Sequence, residues 1–245
     1  MKKQNLLLLF LSVFFVSVMV TSCGKDSDPK PKEEEPDGDG DETLSPYLQG
    51  SDYYLITLDE TSKTKIASKV KKDYRVDDAN MFLYVWDGTY GPGTSTGPNS
   101  FGEVEGWTSL VVANNDWSGC GFATLNNTET GQKFYANLSG VSDDHVLHFA
   151  MKSKDQTTHQ IILNGNNESV VKLTIGTEAF DGVAPYKNFT RDGEWHHIEV
   201  PVSYLKDQGL KYTGDMNTNL VAILSGGGIG KTLDIDGIFF YKPKK

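Results

Sequence analysis

The chain has 245 residues, a formal net charge of −10 at pH 7 and two cysteines. An acidic chain lacks the basic surface that binding to nucleic-acid phosphates requires, so we expect no nucleic-acid partner. The length is sufficient for one large domain or two small ones.

The first 22 residues have the pattern of a cleaved export signal. Two lysines precede an almost unbroken apolar run from residue 6 to residue 20, which is short for a membrane-spanning helix. The run ends in Val20-Thr21-Ser22-Cys23, which resembles a bacterial lipobox. The resemblance implies that residues 1–22 are removed and that lipidated Cys23 anchors the mature protein in a membrane. Cys120 would then have no partner for a disulfide.

Residues 23–46 contain the lipidated cysteine and an acidic linker. The stretch Lys25 to Glu42 has nine acidic residues and three lysines, a local charge of 3 − 9 = −6. Such a composition buries too little apolar surface to fold, so we expect a disordered, extended tether. The acids in Lys25-Asp26-Ser27-Asp28 resemble the export signal of Bacteroidetes surface lipoproteins. That resemblance implies an outer-membrane location with display at the cell surface, whereas a plain soluble spacer is the alternative.

Residues 47–245 are predicted to form a single all-β domain. Short segments rich in β-branched and aromatic residues alternate with Gly, Asn and Asp clusters, which is typical of sandwiches and barrels. Thr61–Lys72 and Val202–Gln208 are the only helical candidates, and a strand and turn is an equal alternative for the first. The predicted strands are Tyr53–Ile56, Met81–Trp86, Trp107–Val112, Val146–Met151, Ser169–Ile175, Trp195–Val200, Leu220–Leu224 and Leu233–Tyr241.

Two C-terminal regions carry a family resemblance. The sequence Asp-Gly-Glu-Trp-His-His-Ile-Glu-Val-Pro-Val-Ser-Tyr-Leu, from Asp192 to Leu205, is similar to a turn and strand of galactose-binding-like jelly rolls. The last two predicted strands also resemble that fold, which includes many carbohydrate-binding modules. The turn before Trp195 resembles laminin-G and concanavalin-like domains as well, but Pro201 favours the first family. Both resemblances imply an antiparallel β-sandwich of the jelly-roll type.

The segment between Trp86 and Trp117 is dense in aromatic and amide side chains. Sugars present apolar faces and hydroxyl rims, so their sites combine aromatic rings with polar side chains. The Gly-, Ser-, Thr- and Asn-rich loop 91–105 is a long connection of the kind that often carries function. Core packing is the alternative for each tryptophan. The predicted ligand-binding residues are Trp86, Tyr90, Trp107, Asn115 and Trp117.

A structural calcium ion is the one cofactor that the resemblance suggests. Jelly-roll modules of this type often hold Ca²⁺ with an aspartate of the last strand, which corresponds here to Asp236 or Asp234. Calcium takes six to eight oxygen ligands, so other loops would have to contribute. The alternative is that both are ordinary strand acids, and no cofactor is expected to be required.

A catalytic alternative rests on Glu103 and Glu105. On a strand, residues two apart face the same side, and retaining glycosidases use two carboxyls about 5–5.5 Å apart. Family-16 glycosidases present three acids at alternate positions, whereas here Gly106 and Trp107 follow the second. This difference favours a solvated loop pair.

The sequence therefore favours a non-enzymatic lipoprotein that binds an oligosaccharide or polysaccharide at the cell surface as part of a glycan-utilisation system. Expected partners are the glycan, the membrane through Cys23, and an outer-membrane sugar-import complex. Two alternatives remain: a glycoside hydrolase or lyase, and a structural or adhesive envelope lipoprotein that binds another protein.

Overall fold

The computed structural model describes residues 44–113, 117–225 and 227–245, and the structural statements below refer to these ranges. The predicted signal, Cys23 and most of the predicted linker lie outside them. No helix in the described ranges is long and apolar enough to cross a membrane.

Short strands dominate the described chain, as the alternating segments predict. Two α-helices are present, α1 (Glu60–Lys65) and α2 (Val202–Asp207). Helix α2 lies within its predicted segment, whereas α1 begins one residue before Thr61 and ends at Lys65, and the last residues of that segment belong to a strand. The strands in chain order are β1 (Ser51–Leu55), β2 (Val70–Asp73), β3 (Met81–Val85), β4 (Tyr90–Pro92), β5 (Thr108–Val112), β6 (Ser118–Thr124), β7 (Ala136–Asn137), β8 (Val146–Lys152), β9 (His159–Asn164), β10 (Val170–Ile175), β11 (Pro185–Lys187), β12 (His196–Pro201), β13 (Asp215–Met216), β14 (Asn219–Ser225) and β15 (Thr232–Lys242).

Two large sheets face each other. Sheet 1 has the order β12-β8-β15-β1-β2, with β5 beside β15 and β4 beside β5, and sheet 2 has the order β11-β10-β9-β14-β6-β3. Strands β7 and β13 form a separate small pair. The pairing is antiparallel except for β1 with β2 and β10 with β11. The predicted fold class, an all-β antiparallel sandwich, is confirmed.

The main core lies between the two sheets. It is built from alternate residues of each strand, because successive side chains of a strand point to opposite faces. Each fully buried Leu, Ile or Phe side chain contributes about 1.5–3 kcal/mol. The central members are Phe122, Phe149, Ile161, Leu163, Leu173, Ile198, Val200, Ile223 and Ile235.

The outer face of sheet 1 is covered by the protein's own chain. A second hydrophobic cluster forms there between β1, β15 and the segments that precede and follow β1. Leu44, which lies in the predicted linker, is buried in this cluster, so the packed part of the chain includes residues before Tyr47. The other buried members are Leu48, Tyr53, Leu55, Leu58, Ile66, Phe239 and Tyr241.

The long loop 93–106 completes this cover. Ser100 donates hydrogen bonds from its backbone N–H (3.0 Å) and its hydroxyl (2.6 Å) to the buried carboxylate of Asp236 on β15. The side-chain amide of Asn99 donates to Asp59 Oδ2 and to the Glu105 carbonyl, both at 2.9 Å. These bonds fix the loop against the sheet. We call residues 44–50, 57–66 and 93–106 the cover of sheet 1.

Buried ionisable side chains lie both under the cover of sheet 1 and in the main core between the sheets. Under the cover, His148 contacts the Gly237 carbonyl (2.7 Å) and His197 Nδ1 (2.9 Å). Burial lowers the pKa of His148 to about 3 and that of His197 to about 4, and in the main core it lowers the pKa of His159 to about 3. Burial has the opposite effect on an acid and raises the pKa of Asp236 to about 6.

These pKa shifts predict a protein that loses stability in acid. Near pH 5 the unfolded chain binds the protons of these three histidines, which the folded chain excludes, whereas folded Asp236 retains one proton that the unfolded carboxyl has lost. Burial also lowers the pKa of His145, which acts in the same direction as the other histidines. The net difference of 3 − 1 = 2 protons makes the free energy of unfolding rise with pH, by about 2–3 kcal/mol per pH unit. Urea unfolding between pH 4.5 and 5.5, a window inside these pKa values, measures the slope.

The variant Asp236→Asn tests whether folded Asp236 is protonated near pH 5. It removes the acid whose raised pKa offsets the histidines, so its slope should be steeper than that of the wild type. A wild-type free energy of unfolding that is flat or falls with pH across this window would contradict these protonation states.

Candidate functional site

A row of aromatic side chains stands on the outer face of sheet 2. Strand β3 is the edge strand, and its outward residues Phe82 and Tyr84 are 40% and 44% exposed. Trp86 follows at the same two-residue spacing, and Trp117 at the start of β6 is 46% exposed. We call these four residues the aromatic ridge.

Neighbouring rings of the ridge touch edge to face. The ring centroids of Phe82 and Tyr84 are 6.4 Å apart with an interplanar angle of 86°. Those of Tyr84 and Trp86 are 5.8 Å apart at 81°. Such T-shaped contacts are favourable, so the rings along β3 stabilise one another's positions.

Two glycines on β6 make room for the indole of Trp86. A Cβ atom on Gly119 would lie 2.7 Å from Cε3 of Trp86 and 3.1 Å from Cζ3 of Trp117. A Cβ atom on Gly121 would lie 3.2 Å from Cη2 of Trp86. The indole of Trp86 therefore lies against the backbone of β6, and Gly119 brings both tryptophans to one place.

A tight turn holds Trp86 in this position. The Gly119 N–H donates to Thr89 Oγ1 (3.0 Å), and the Thr89 hydroxyl donates to the Trp86 carbonyl (2.8 Å). Asp87 has φ of 48° within the turn, and Gly88 has φ of 62°. Thr89 is buried, so the turn is tied to β6 by a hydrogen bond shielded from water.

Beyond the ridge, the face becomes flatter and then polar. Ala222 of β14 is directly opposite Gly121, and Ile162 of β9 is opposite Ala222. Lys172 of β10 comes next in this row and pairs with Asp181 at 2.5 Å. At the far end, the hydroxyl of Thr174 donates to the Val183 carbonyl, so residues 180–183 overlie that part of the sheet. The face thus has an aromatic edge, a floor of small and aliphatic side chains, and a polar far side.

The structure brings together two of the five predicted ligand-binding residues, Trp86 and Trp117. Tyr90 requires a correction, because it is only 6% exposed and packs in the main core. Its ring points inward from β4, and burial raises the pKa of its hydroxyl. Asn115 lies outside the described residues.

Trp107 lies away from the ridge, on the sheet 1 side. Its ring is perpendicular to that of Trp195, with centroids 6.4 Å apart. The Lys152 ammonium lies 5.5 Å from the centroid of Trp107 and 4.7 Å from that of Trp195. Contacts with Lys152 and Trp195 therefore hold the Trp107 indole in place, independently of the ridge.

The predicted catalytic and metal residues have structural partners. Glu103 pairs with Lys65 at 2.6 Å, and Glu105 accepts the Thr61 hydroxyl at 2.8 Å, so both carboxylates tie the loop 93–106 to α1 within the cover. Asp234 pairs with the Lys152 ammonium at 3.3 Å. In the described ranges no group of three or more His, Cys, Asp or Glu side chains is placed to hold a metal ion. These contacts, with those of Asp236 to Ser100, do not support calcium at Asp234 and Asp236.

The sequence reasoning missed Phe82 and Tyr84, although a signal was available. Aromatic residues occupy alternate positions in Phe82-Leu83-Tyr84-Val85-Trp86, a spacing that puts them on one face of a strand. The intervening aliphatic residues supply the other, inward face. An aromatic row facing away from an aliphatic row is the pattern that identifies this surface.

The placement of Trp86 predicts the effect of filling the space at Gly119. In Gly119→Ala the new Cβ would lie 2.7 Å from Trp86 and 2.8 Å from Leu224 Cδ2, so the indole must move. We expect a loss of about 1–3 kcal/mol in the free energy of unfolding, as is typical of overpacking. Urea unfolding measures the loss, and near-UV circular dichroism reports the rearranged rings.

Gly91→Ala is the matched control, because the nearest atom to its new Cβ is 3.9 Å away. It should leave the aromatic circular dichroism unchanged. An unaltered spectrum and stability for Gly119→Ala would show that Trp86 does not rest on β6.

Comparison with known proteins gives distant fold similarities. No protein-family model and no curated protein matches the chain. The family 11 carbohydrate-binding module of a cellulosomal cellulase from Clostridium thermocellum is 12% identical, with a TM-score of 0.40, over 79% of this chain and 96% of that one. A variant of a family 29 carbohydrate-binding module is 9% identical, with a TM-score of 0.38, over 78% and 91%. An exo-β-agarase is 12% identical, with a TM-score of 0.45, over 78% of this chain and 25% of that one. Similarity at this level assigns the chain to no family.

Proposed function

We propose that the protein binds a glycan on the outer face of sheet 2 without cleaving it. The observation that carries this proposal is the aromatic ridge, a set of neighbouring, partly exposed rings on β3, on the turn that follows it and immediately before its partner strand β6. A contiguous apolar patch on a protein surface marks an interaction site. Ring faces fit the apolar faces of sugars, and the amide and ammonium groups of Asn164 and Lys172 on the same sheet are donors that fit sugar hydroxyls.

The angles between the rings favour a single soluble chain as the ligand. Successive rings along β3 are nearly perpendicular, at 86° and 81°, so the three do not form one flat platform. A crystalline polysaccharide presents a flat surface that such rings contact poorly. A single chain is able to turn its sugar rings and follow a row in which outward residues repeat about every 7 Å along the strand.

The neighbourhood of the ridge favours binding over catalysis. Glycoside hydrolysis by the common mechanism needs two carboxyl groups that flank the scissile bond. The acidic pair considered from the sequence, Glu103 and Glu105, contacts α1 on the sheet 1 side. On the sheet 2 face the floor is formed by Gly121, Ala222 and Ile162, and the Asp181 carboxylate at the polar far side is paired with Lys172. No pair of carboxyl groups is therefore seen across this floor among the described residues.

Removing single ridge rings tests the proposed surface. We expect Trp86→Ala and Trp117→Ala each to weaken binding of a recognised polysaccharide by about tenfold, equivalent to about 1.4 kcal/mol. The loss follows from removing an aromatic face that contacts a sugar ring. Affinity electrophoresis against a panel of soluble polysaccharides identifies the ligand, and calorimetry with an oligosaccharide of that ligand measures the change.

Tyr135→Ala is a matched control, since Tyr135 is also an exposed aromatic residue (52%) but lies outside the ridge. It should bind as the wild type does. Failure of the wild type to bind any soluble glycan, or equal losses in the ridge and control variants, would refute the proposed surface.

We further propose that Cys23 is lipidated and that the acidic segment 23–46 holds the domain away from an outer membrane, displayed at the cell surface beside a sugar-import complex. The support is the lipobox-like Val20-Thr21-Ser22-Cys23 and the acids that follow it. A surface tether would place the ridge where extracellular glycans are captured before import.

Cys23→Ala tests the anchor. In a bacterial host that processes lipoproteins, the wild type should incorporate radiolabelled palmitate, sediment with outer membranes and be cleaved by protease added to intact cells. The variant should lose the label and leave the membrane fraction, because the acyl chains supply the membrane affinity. A variant that keeps the label or stays membrane-bound would contradict lipidation at this residue.

A further inference from the structure

A cavity of about 590 Å³ opens at one end of the sandwich, apart from the ridge. Residues 56–58, which follow β1, form one side of it, and Phe122 on β6 contributes from sheet 2. Its volume falls within the range of roughly 300–1,000 Å³ found for small-molecule sites. The cavity is therefore large enough for a ligand and is not merely a packing gap.

Trp107 supplies an aromatic wall of this cavity. The indole is held by Trp195 and Lys152, and neither of these residues lines the cavity. The position of the indole is therefore fixed by residues outside the cavity. The lining residues Ile56 and Leu58 are buried, so the apolar side chains open to a ligand are those of Trp107 and Val76.

Polar groups that line the cavity are fixed by hydrogen bonds. The Arg75 guanidinium donates to both carboxylate oxygens of Asp73 (3.0 Å each), to Glu60 (2.9 Å) and to the Leu58 carbonyl (3.2 Å). Both groups of this Arg75–Asp73 pair line the cavity. Groups held in place before binding need little further ordering when a ligand arrives.

A second fixed polar unit comes from the turn before β3. Asp77 accepts hydrogen bonds from the backbone N–H groups of Ala79 and Asn80 and from the side-chain amide of Asn80 (2.8 Å). Asp77 and Asn80 both line the cavity. A carboxylate and an amide side by side present an acceptor and a donor to neighbouring hydroxyl groups.

The charges around the cavity select the class of ligand. Three lining carboxylates, of Glu60, Asp73 and Asp77, face one lining guanidinium, a local charge of 1 − 3 = −2. This balance disfavours an anion and provides acceptors for hydroxyl donors. Among the described residues these carboxylates are not grouped so that three of them could hold one metal ion.

We infer that this cavity binds one neutral sugar unit, with Trp107 against its apolar face and the Asp77–Asn80 and Arg75–Asp73 pairs at its hydroxyls. The inference is independent of the ridge, because the two sites share no residue. The protein would then hold a chain on sheet 2 and a single sugar at the end of the sandwich.

Fluorine NMR of protein labelled with 5-fluorotryptophan separates the two sites. The chain has four tryptophans, so four resonances are expected, each assigned by a Trp→Phe variant. Neutral monosaccharides (glucose, galactose, mannose, xylose and fucose) at millimolar concentration should shift the Trp107 resonance and leave those of Trp86 and Trp117 in place. Glucuronate, which carries a negative charge, should shift none of them.

A pair of asparagine variants tests the contacts. Asn80→Ala removes a lining amide and should weaken the response of Trp107 to the active monosaccharide by about tenfold, as expected for a lost hydrogen-bonding group. Asn127→Ala alters another turn asparagine that does not line the cavity, and it should respond as the wild type does.

The outcomes distinguish this site from the ridge. A Trp107 shift with neutral sugars supports the cavity site even if no polysaccharide binds the ridge. No Trp107 shift with any neutral monosaccharide, or an equal shift with glucuronate, overturns it even if the ridge binds a glycan. Equal weakening in Asn80→Ala and Asn127→Ala also overturns it.

Discussion

Each sheet of a β-sandwich buries one face against the other sheet, so its two outer faces must be covered or left to water. The two faces of this protein differ. Sheet 1 is covered by its own chain, which buries Leu44, Leu48 and Tyr53 and fixes the loop 93–106 through the Ser100–Asp236 hydrogen bonds. Sheet 2 instead exposes aromatic rings along its edge. Because the cover occupies one face, a large extended ligand has the other face available.

The position of the ridge depends on small residues as much as on aromatic ones. Gly119 and Gly121 weaken the intrinsic strand propensity of β6, yet their missing side chains let the Trp86 indole lie against the backbone. Thr89 then ties the turn to the same strand. The ring is therefore fixed before any ligand arrives, which reduces the ordering cost of binding.

Much of the fold followed from local sequence patterns. The eight predicted strand segments all contain strands, because alternating β-branched and aromatic residues report a half-buried strand directly. Among the longer strands, β9 and β6 were not predicted. The Ser-Gly-Cys-Gly start of β6 has the composition of a turn. The glycines of β6 leave space for the Trp86 indole. This is a tertiary contact, which a local sequence pattern does not reveal.

The candidate site was only partly predictable for a related reason. Trp86 and Trp117 were selected by composition, but composition does not tell which side of a strand faces the core, and Tyr90 faces inward. The loop 91–105 has the residues of a binding loop. Its polar groups bond to Asp59 and Asp236 of its own chain, and nothing in the local sequence distinguishes that use from ligand binding. Tertiary contacts determine both the inward orientation of Tyr90 and the partners of the loop's polar groups.

The central claim is that the open face of sheet 2 is the glycan surface and the covered face of sheet 1 is not. Backbone amide NMR with a bound oligosaccharide tests this claim most directly. We predict that the shifted amides cluster in β3, β6 and β14, with residues 44–50 and 93–105 of the cover unaffected. Shifts confined to residues 93–106 and the strands of sheet 1 would contradict the account.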